Sequence, residues 1–147
     1  MESTPVEKIT NRDQLLAMVF RSTPRSEGCH FLTPSDLSLQ LGCINQIKGN
    51  VIPPHRHNAV RREIASACEV LLIKNGRLRV DFYDQNQTYL ESRILGADDI
   101  VILVSGGHGF EALDDVQMIE VKQGPYAGEL DRTRFTAVSK GEIKLVE

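Results

Sequence analysis

From Phe31 onwards the sequence alternates apolar and polar residues or runs through short apolar stretches. Strands show this period of two because successive side chains point to opposite faces of a sheet. Turn residues interrupt the pattern about every ten positions, a spacing typical of a sandwich or barrel. The sequence therefore predicts a mostly β chain, and 147 residues suffice for one hydrophobic core.

The strands can be placed from this pattern. The first covers residues 37–44, where every second position is apolar. Asn75-Gly76 separates the apolar runs 69–74 and 77–83 and favours a type I′ hairpin between them. Further strands are expected at 88–95, 100–104 and 116–122, with 142–146 as a candidate last strand.

One helix is expected before this region. Asn11 can cap residues 12–21, and Gln14 stands three positions later, as in a capping box. The apolar stripe of this helix would consist of Leu15, Leu16, Val19 and Phe20. We therefore divide the chain into a helix and lead-in segment, 1–30, and a single β domain, 31–147.

Composition excludes several classes of protein. The net charge is −3 and there is no basic stripe, so nucleic acid is not an expected partner. No apolar run approaches the roughly 20 residues that span a membrane, and the N-terminal residues do not resemble a signal peptide. Three cysteines without a CxxC pair indicate neither a disulfide framework nor a zinc knuckle. We expect a cytoplasmic protein with reduced thiols.

The chemistry is expected to centre on His55 and His57. In an extended strand, side chains at positions i and i+2 share a face, so both imidazoles would point the same way. Two imidazoles on one face can bind one divalent metal ion. The alternative is that these histidines merely border a loop that follows Pro53-Pro54.

At these residues the sequence resembles the cupin superfamily. Its first motif has a glycine, five residues, His-x-His, a short gap, a glutamate, six residues and a second glycine, and the corresponding positions here are Gly49, His55, His57, Glu69 and Gly76. Eleven residues separate the second histidine from the glutamate, where the usual gap is three or four. We interpret the excess as a longer loop.

The second cupin motif is matched more loosely by Gly106-Gly107-His108. Two glycines permit a left-handed turn that would direct His108 into the barrel. The resemblance then implies a metal held by four residues: His55, His57, Glu69 and His108. Glu63 is the rival carboxylate, because it is closer to the histidines in sequence.

The resemblance implies a double-stranded β-helix, or jelly-roll barrel, holding one Fe²⁺, Mn²⁺, Ni²⁺ or Zn²⁺ ion. A small polar substrate, such as a sugar or organic acid, would bind at the open metal positions of an isomerase, epimerase or oxygenase. The alternative is a non-enzymatic ligand sensor or binding module, with or without metal. No catalytic residue is assigned.

Candidate substrate-binding residues lie near the expected pocket. Arg61 and Arg62 follow the His-x-His pair and can clamp an anion, unless they form a solvated loop. Tyr83 is the third candidate, with simple packing as the alternative. Glu120 is expected at the surface, or as a general base if its side chain enters the barrel.

A homodimer is also expected. Cupins commonly form dimers, and unpaired edge strands are usually protected by pairing. The apolar first strand at 37–44 is the motivating feature.

Overall fold

The computed structural model describes residues 6–147, and antiparallel strands dominate it, as the sequence predicts. The strands are β1 (Val6–Asn11), β2 (Gln14–Phe20), β3 (Gly28–Phe31), β4 (Gly42–Asn45), β5 (Glu69–Asn75), β6 (Leu78–Tyr83), β7 (Tyr89–Leu95), β8 (Ile100–Leu103), β9 (Gly107–Ala112) and β10 (Gln117–Lys122). Two short 3₁₀ turns, Gly128–Asp131 and Lys140–Glu142, follow. No helix within the described residues is long and apolar enough to cross a membrane.

Two sheets enclose the main core. The larger has the strand order β1-β2-β8-β5-β10, and the smaller has the order β7-β6-β9. Buried side chains from both sheets meet in one cluster, for which Leu71 and Val101 of the larger sheet and Val80 and Phe82 of the smaller are typical. The two sheets therefore pack face to face.

The outer face of the larger sheet is also covered. Met18, Phe20, Val70 and Ile102 form a second buried cluster there. Leucines from residues 32–41 pack against it. A separate two-stranded sheet, β3-β4, flanks this segment. The central strands of the larger sheet are consequently buried on both faces.

The predicted N-terminal helix is wrong. Residues 6–20 form a β-hairpin, in which Asn11 pairs with Gln14 around a two-residue turn. Arg12 in that turn has a φ of +54°. β2 continues into the larger sheet by pairing with β8. Residues 6–20 are therefore part of the larger sheet rather than a lead-in that carries a helix.

The predicted hairpin around Asn75-Gly76 is also wrong, although both strands exist. β5 pairs with β8 and β10, whereas β6 pairs with β7 and β9. The turn at Gly76, where φ is +81°, therefore carries the chain from one sheet to the other.

Two other strand predictions are only partly met. The strand predicted at 37–44 is observed only in its last three residues, which belong to β4 (Gly42–Asn45). The expected alternation of exposed and partly buried positions nevertheless extends across all of residues 37–44. At the other end, Leu145 forms a single parallel bridge with Ser92 instead of a full strand. The strands expected at 88–95, 100–104 and 116–122 are confirmed to within one residue at each end.

Replacing Gly76 by alanine is expected to lower the free energy of unfolding by at least about 2 kcal/mol, because a side chain in the left-handed region is strained. The added Cβ would also lie 2.2 Å from the carbonyl oxygen of Asp115. Chemical denaturation measures the loss. The matched control is Gly96→Ala, where no atom lies within 4 Å of the new Cβ and little change is expected. Equal stabilities for the two variants would contradict this account of the turn.

Candidate functional site

A cavity of about 1010 Å³ lies between the two sheets, on the side where each sheet ends in an edge strand. β9 and β10 are those edge strands, and both contribute lining residues. The end of the β4-β5 connection, the first residue of β5, the turns after β6 and before β9, and most of residues 130–137 also line it. The cavity is thus bounded by both sheets, by the residues just before β5 and by the segment that follows β10.

His108 enters this cavity from β9. It pairs with Phe82 across the ladder, and since directly paired residues share a face, its imidazole lies on the core side of the smaller sheet. The preceding Gly106 has a φ of +72°, and a Cβ there would lie 2.4 Å from the carbonyl oxygen of Tyr83. The left-handed turn expected before His108 is therefore confirmed at Gly106.

Glu69 and Lys122 approach His108 from the opposite sheet. Glu69 alternates with the buried residues Leu71 and Ile73 on β5, and Lys122 is its direct partner on β10. Glu69 Oε2 lies 3.4 Å from His108 Nε2, and Glu69 Oε1 lies 3.4 Å from Lys122 Nζ. The carboxylate thus lies between two nitrogen groups that belong to different sheets.

The contact with His108 holds the pKa of the Glu69 carboxyl below its ordinary value, although partial burial opposes the shift. The positive charge of Lys122 adds to the lowering of this pKa. Glu69 is therefore ionised at neutral pH and accepts hydrogen bonds only.

The low pKa of Glu69 predicts a pH-dependent stability. Above the ordinary value of 4.5 the carboxyl is ionised whether the chain is folded or not, so its stabilising contribution is complete. As pH falls below 4.5, the unfolded chain takes up the proton first and this contribution is lost. Denaturant unfolding between pH 6 and 3 is expected to show a shallower decline for Glu69→Gln than for the unmodified protein. Glu63→Gln, at an exposed position, is expected to keep the original slope.

The segment after β10 forms one wall of the cavity and is anchored on Tyr83. The ring of Phe135 packs edge-on against Tyr83 at 5.0 Å, and the backbone N–H of Val138 donates to the Tyr83 hydroxyl at 3.0 Å. Tyr83 itself is buried. Of the three predicted substrate-binding residues, Tyr83 therefore lines the cavity, but its hydroxyl holds the protein's own backbone.

His55 and His57 lie apart from this cluster. Both are exposed on the long connection between β4 and β5, and neither lines the cavity. Their rings are 5.6 Å apart, and His55 Nδ1 lies 3.0 Å from the carbonyl oxygen of Pro53. Two of the four predicted metal ligands, Glu69 and His108, are thus brought together, and the other two are not.

The described residues do not fit a metal ion in this arrangement. Nowhere in residues 6–147 do three His, Cys, Asp or Glu side chains group closely enough to hold one. Glu69 and His108 supply two suitable donors, but the third group beside them is the ammonium of Lys122, which has no lone pair to offer while it is protonated. The four-ligand metal centre stays a prediction.

Arg61, Arg62 and Glu63 share the exposed connection with the two histidines. None of them lines the cavity, and Arg62 donates to the nearby carbonyl oxygen of Val60. The structure therefore places Glu69, rather than the rival carboxylate Glu63, beside His108.

Sequence reasoning missed the cationic side of the site. Lys122 contacts Glu69, and Arg132 lines the cavity near Tyr126, whose hydroxyl lies 3.4 Å from its Nη2. Glu120 is exposed, as expected, and it also lines the cavity, because it alternates with Lys122 on β10. The period of two predicts that Glu120 and Lys122 share one face of a strand. Whether that face lies on the same side of the sheet as Glu69 depends on the pairing of two strands that are almost 50 residues apart in sequence.

Comparison with known proteins adds no relative: no family model, no curated protein and no solved structure matches this chain.

Proposed function

We propose that this chain is a cupin-like protein that binds a small polar molecule, of the class of sugars or organic acids, in the cavity between β9 and β10. The observation that carries the proposal is the cluster of His108, Glu69 and Lys122 inside that cavity. Ligand sites are concave and combine apolar walls with a few converging polar groups. The two facing antiparallel sheets with an internal site support a jelly-roll barrel of the cupin type.

The charges of the lining favour a ligand with an anionic or strongly polarised oxygen. Lys122 and Arg132 both line the cavity, and the hydrogen bond of the Arg132 side chain within residues 6–147 is to the neutral hydroxyl of Tyr126, at 3.4 Å. A guanidinium binds a carboxylate through two parallel hydrogen bonds. A hydroxy acid or an acidic sugar would satisfy both this group and the polar cluster deeper in the cavity.

The same cluster is suited to proton transfer. Because ionised Glu69 can only accept, the Nε2 of His108 is the donor in this contact, and in the tautomer whose one ring proton is on Nε2 the Nδ1 atom can act as a base. Removal of a proton next to a carbonyl would place negative charge on oxygen, which the Lys122 ammonium can stabilise. Isomerisation or epimerisation is therefore the reaction type that these side chains support. The alternative, a binding module without catalysis, would hold its ligand through the same contacts.

The metal-dependent isomerase or oxygenase is the second candidate. Its support is that Glu69 and His108, which come from separate sheets, meet in the cavity as the cupin resemblance implies. The three free cysteines fit the cytoplasmic location that we propose.

A thermal-shift screen with sugars, acidic sugars and hydroxy acids tests the proposal. A compound that binds the cavity raises the melting temperature, because it stabilises only the folded state. Glu69→Gln and His108→Ala are expected to weaken its binding at least about tenfold, since each removes a charged or hydrogen-bonding partner. Glu63→Gln is the matched control and is expected to bind normally. Equal weakening by Glu63→Gln would place the ligand on the exposed connection instead.

A further inference from the structure

The connection between β4 and β5 contains an exposed apolar arm, residues 51–64. Val51, Ile52, Val60 and Ile64 are 45% to 81% exposed, although each is a side chain that usually packs. Within residues 6–147, the side chains of this arm form hydrogen bonds only to the arm's own backbone. Within the described residues, therefore, much of the surface of these apolar side chains is left uncovered.

The arm and the rest of the chain also differ in charge. The arm contains three arginines and one glutamate, so its net charge is +2 with neutral histidines. Because the whole chain carries −3, the remaining residues carry −5. A basic arm is attracted to an acidic body of the same kind.

β10 offers a matching surface. Among the strands of residues 6–147 it pairs only with β5, so its other edge has no strand partner there. Met118, Ile119 and Val121 on this strand are 39% to 54% exposed. A long edge strand with exposed apolar side chains is normally covered by another strand.

The side-chain order of the arm fits this edge. As a strand, residues 55–60 would place His55, His57 and Ala59 on one face and Arg56, Asn58 and Val60 on the other. β10 has Glu120 and Lys122 on its cavity face and Ile119 and Val121 on its outer face. With the imidazoles facing the cavity, Val60 lies on the same side as the exposed Ile119 and Val121.

We propose that residues 55–60 of one chain pair with the free edge of β10 in a second copy, and that the exchange is reciprocal. Every copy has both an uncovered arm and an uncovered edge, so a twofold dimer satisfies both at once. Each cavity then receives His55 and His57 of the partner chain next to its own Glu69 and His108. This last part rests on the proposed metal-dependent function, whereas the exchange of arms does not.

The mass in solution tests the exchange. Light scattering at micromolar concentration is expected to give twice the 16.4 kDa of one chain. Val60→Asp in the arm and Val121→Asp on β10 are each expected to raise the dimer dissociation constant at least a hundredfold. Ile44→Asp, at a position on β4 that is 59% exposed and outside the arm, β10 and the cavity lining, is the matched control and is expected to leave the dimer intact. A monomeric unmodified protein, or a dimer that survives both valine substitutions with its circular dichroism unchanged, would overturn the proposal.

Mixed dimers test whether the histidines cross between chains. A chain with His108→Ala is mixed with a chain that carries His55→Ala and His57→Ala, with Zn²⁺ or Mn²⁺ as the probe. Exchange of arms leaves one intact ligand set per mixed dimer, so one ion per two chains is expected, and neither parent dimer should bind it. If the unmodified protein binds the ion and the mixed dimer does not, the ligands come from one chain and delivery by the arm is wrong. A third outcome is that neither the unmodified protein nor the mixed dimer binds the ion, while the valine substitutions still dissociate the dimer. The exchange of arms is then supported and the metal-dependent function is wrong.

Discussion

Replacing Ala17 by aspartate is expected to remove most of the stability of this protein. Ala17 is fully buried in β2, where it pairs with Ile9 on one side and Leu103 on the other. A carboxylate there has no partner and no water. Such substitutions cost more than about 4–5 kcal/mol, against a total of about 5–15 kcal/mol for a typical domain. Circular dichroism and urea denaturation would show the loss.

The stability of the Ala17→Asp variant also distinguishes a strand from a helix at residues 12–21. In the helix expected from sequence, Ala17 faces away from the apolar stripe and would tolerate a charge. Thr10→Asp, at an exposed position of the neighbouring strand, is the control and is expected to change stability by no more than about 1 kcal/mol. A well-folded Ala17→Asp variant would contradict the position of β2 in the sheet.

The second large effect is expected on metal affinity. If the arms exchange between two copies as proposed, each cavity gains the partner's His55 and His57, and the unmodified protein supplied with Fe²⁺, Mn²⁺, Ni²⁺ or Zn²⁺ is then expected to bind one ion per chain. His108→Ala and His57→Ala are each expected to weaken this binding at least about a hundredfold, since even residues that only support a ligand contribute factors of about 10–100. Both variants should remain folded, because the buried apolar core supplies most of the stability. Elemental analysis measures the bound metal.

The two carboxylates provide the control for that experiment. Glu69→Gln is expected to weaken metal binding, whereas Glu63→Gln, on the exposed arm, is expected to leave it unchanged. Full occupancy in His108→Ala would exclude that residue as a ligand. An unmodified protein that takes up none of the four ions would favour the metal-free binding module.

Short apolar runs bounded by turn residues, such as residues 100–104, are strands that the sequence predicts well. Residues 16–20 give no alternation, since β2 is buried on both faces, and their apolar run is compatible with either a helix or a strand. Asn11 and Gln14, which suggested a helix cap, instead close the turn of the β1-β2 hairpin.

The Asn75-Gly76 pair shows a second limit of sequence reasoning. It correctly indicates a tight turn with a left-handed glycine. Whether the flanking strands pair with each other depends on competing partners. Asn75 pairs with Gln117, and Leu78 pairs with both Leu95 and Ala112. These partners are distant in sequence, so the residues next to the turn do not indicate the pairing.

The candidate site was predictable to the extent that it follows a motif. The contact between Glu69 and His108 was expected from the cupin resemblance, and Glu69 rather than Glu63 lies beside His108, while the carboxylate that binds a metal stays a prediction. Lys122 was missed because its role depends on the pairing of β10 with β5. His55 and His57 belong to the arm, whose position on a single chain differs from the strand that the motif implied.

A high-resolution crystal structure with anomalous scattering, from protein soaked with a compound that raises its melting temperature, tests the central claim most directly. The account predicts electron density for that compound, or for a metal ion, in contact with both His108 and Glu69 in the cavity between β9 and β10. Density for the compound at another place, with only water beside His108 and Glu69, would contradict it.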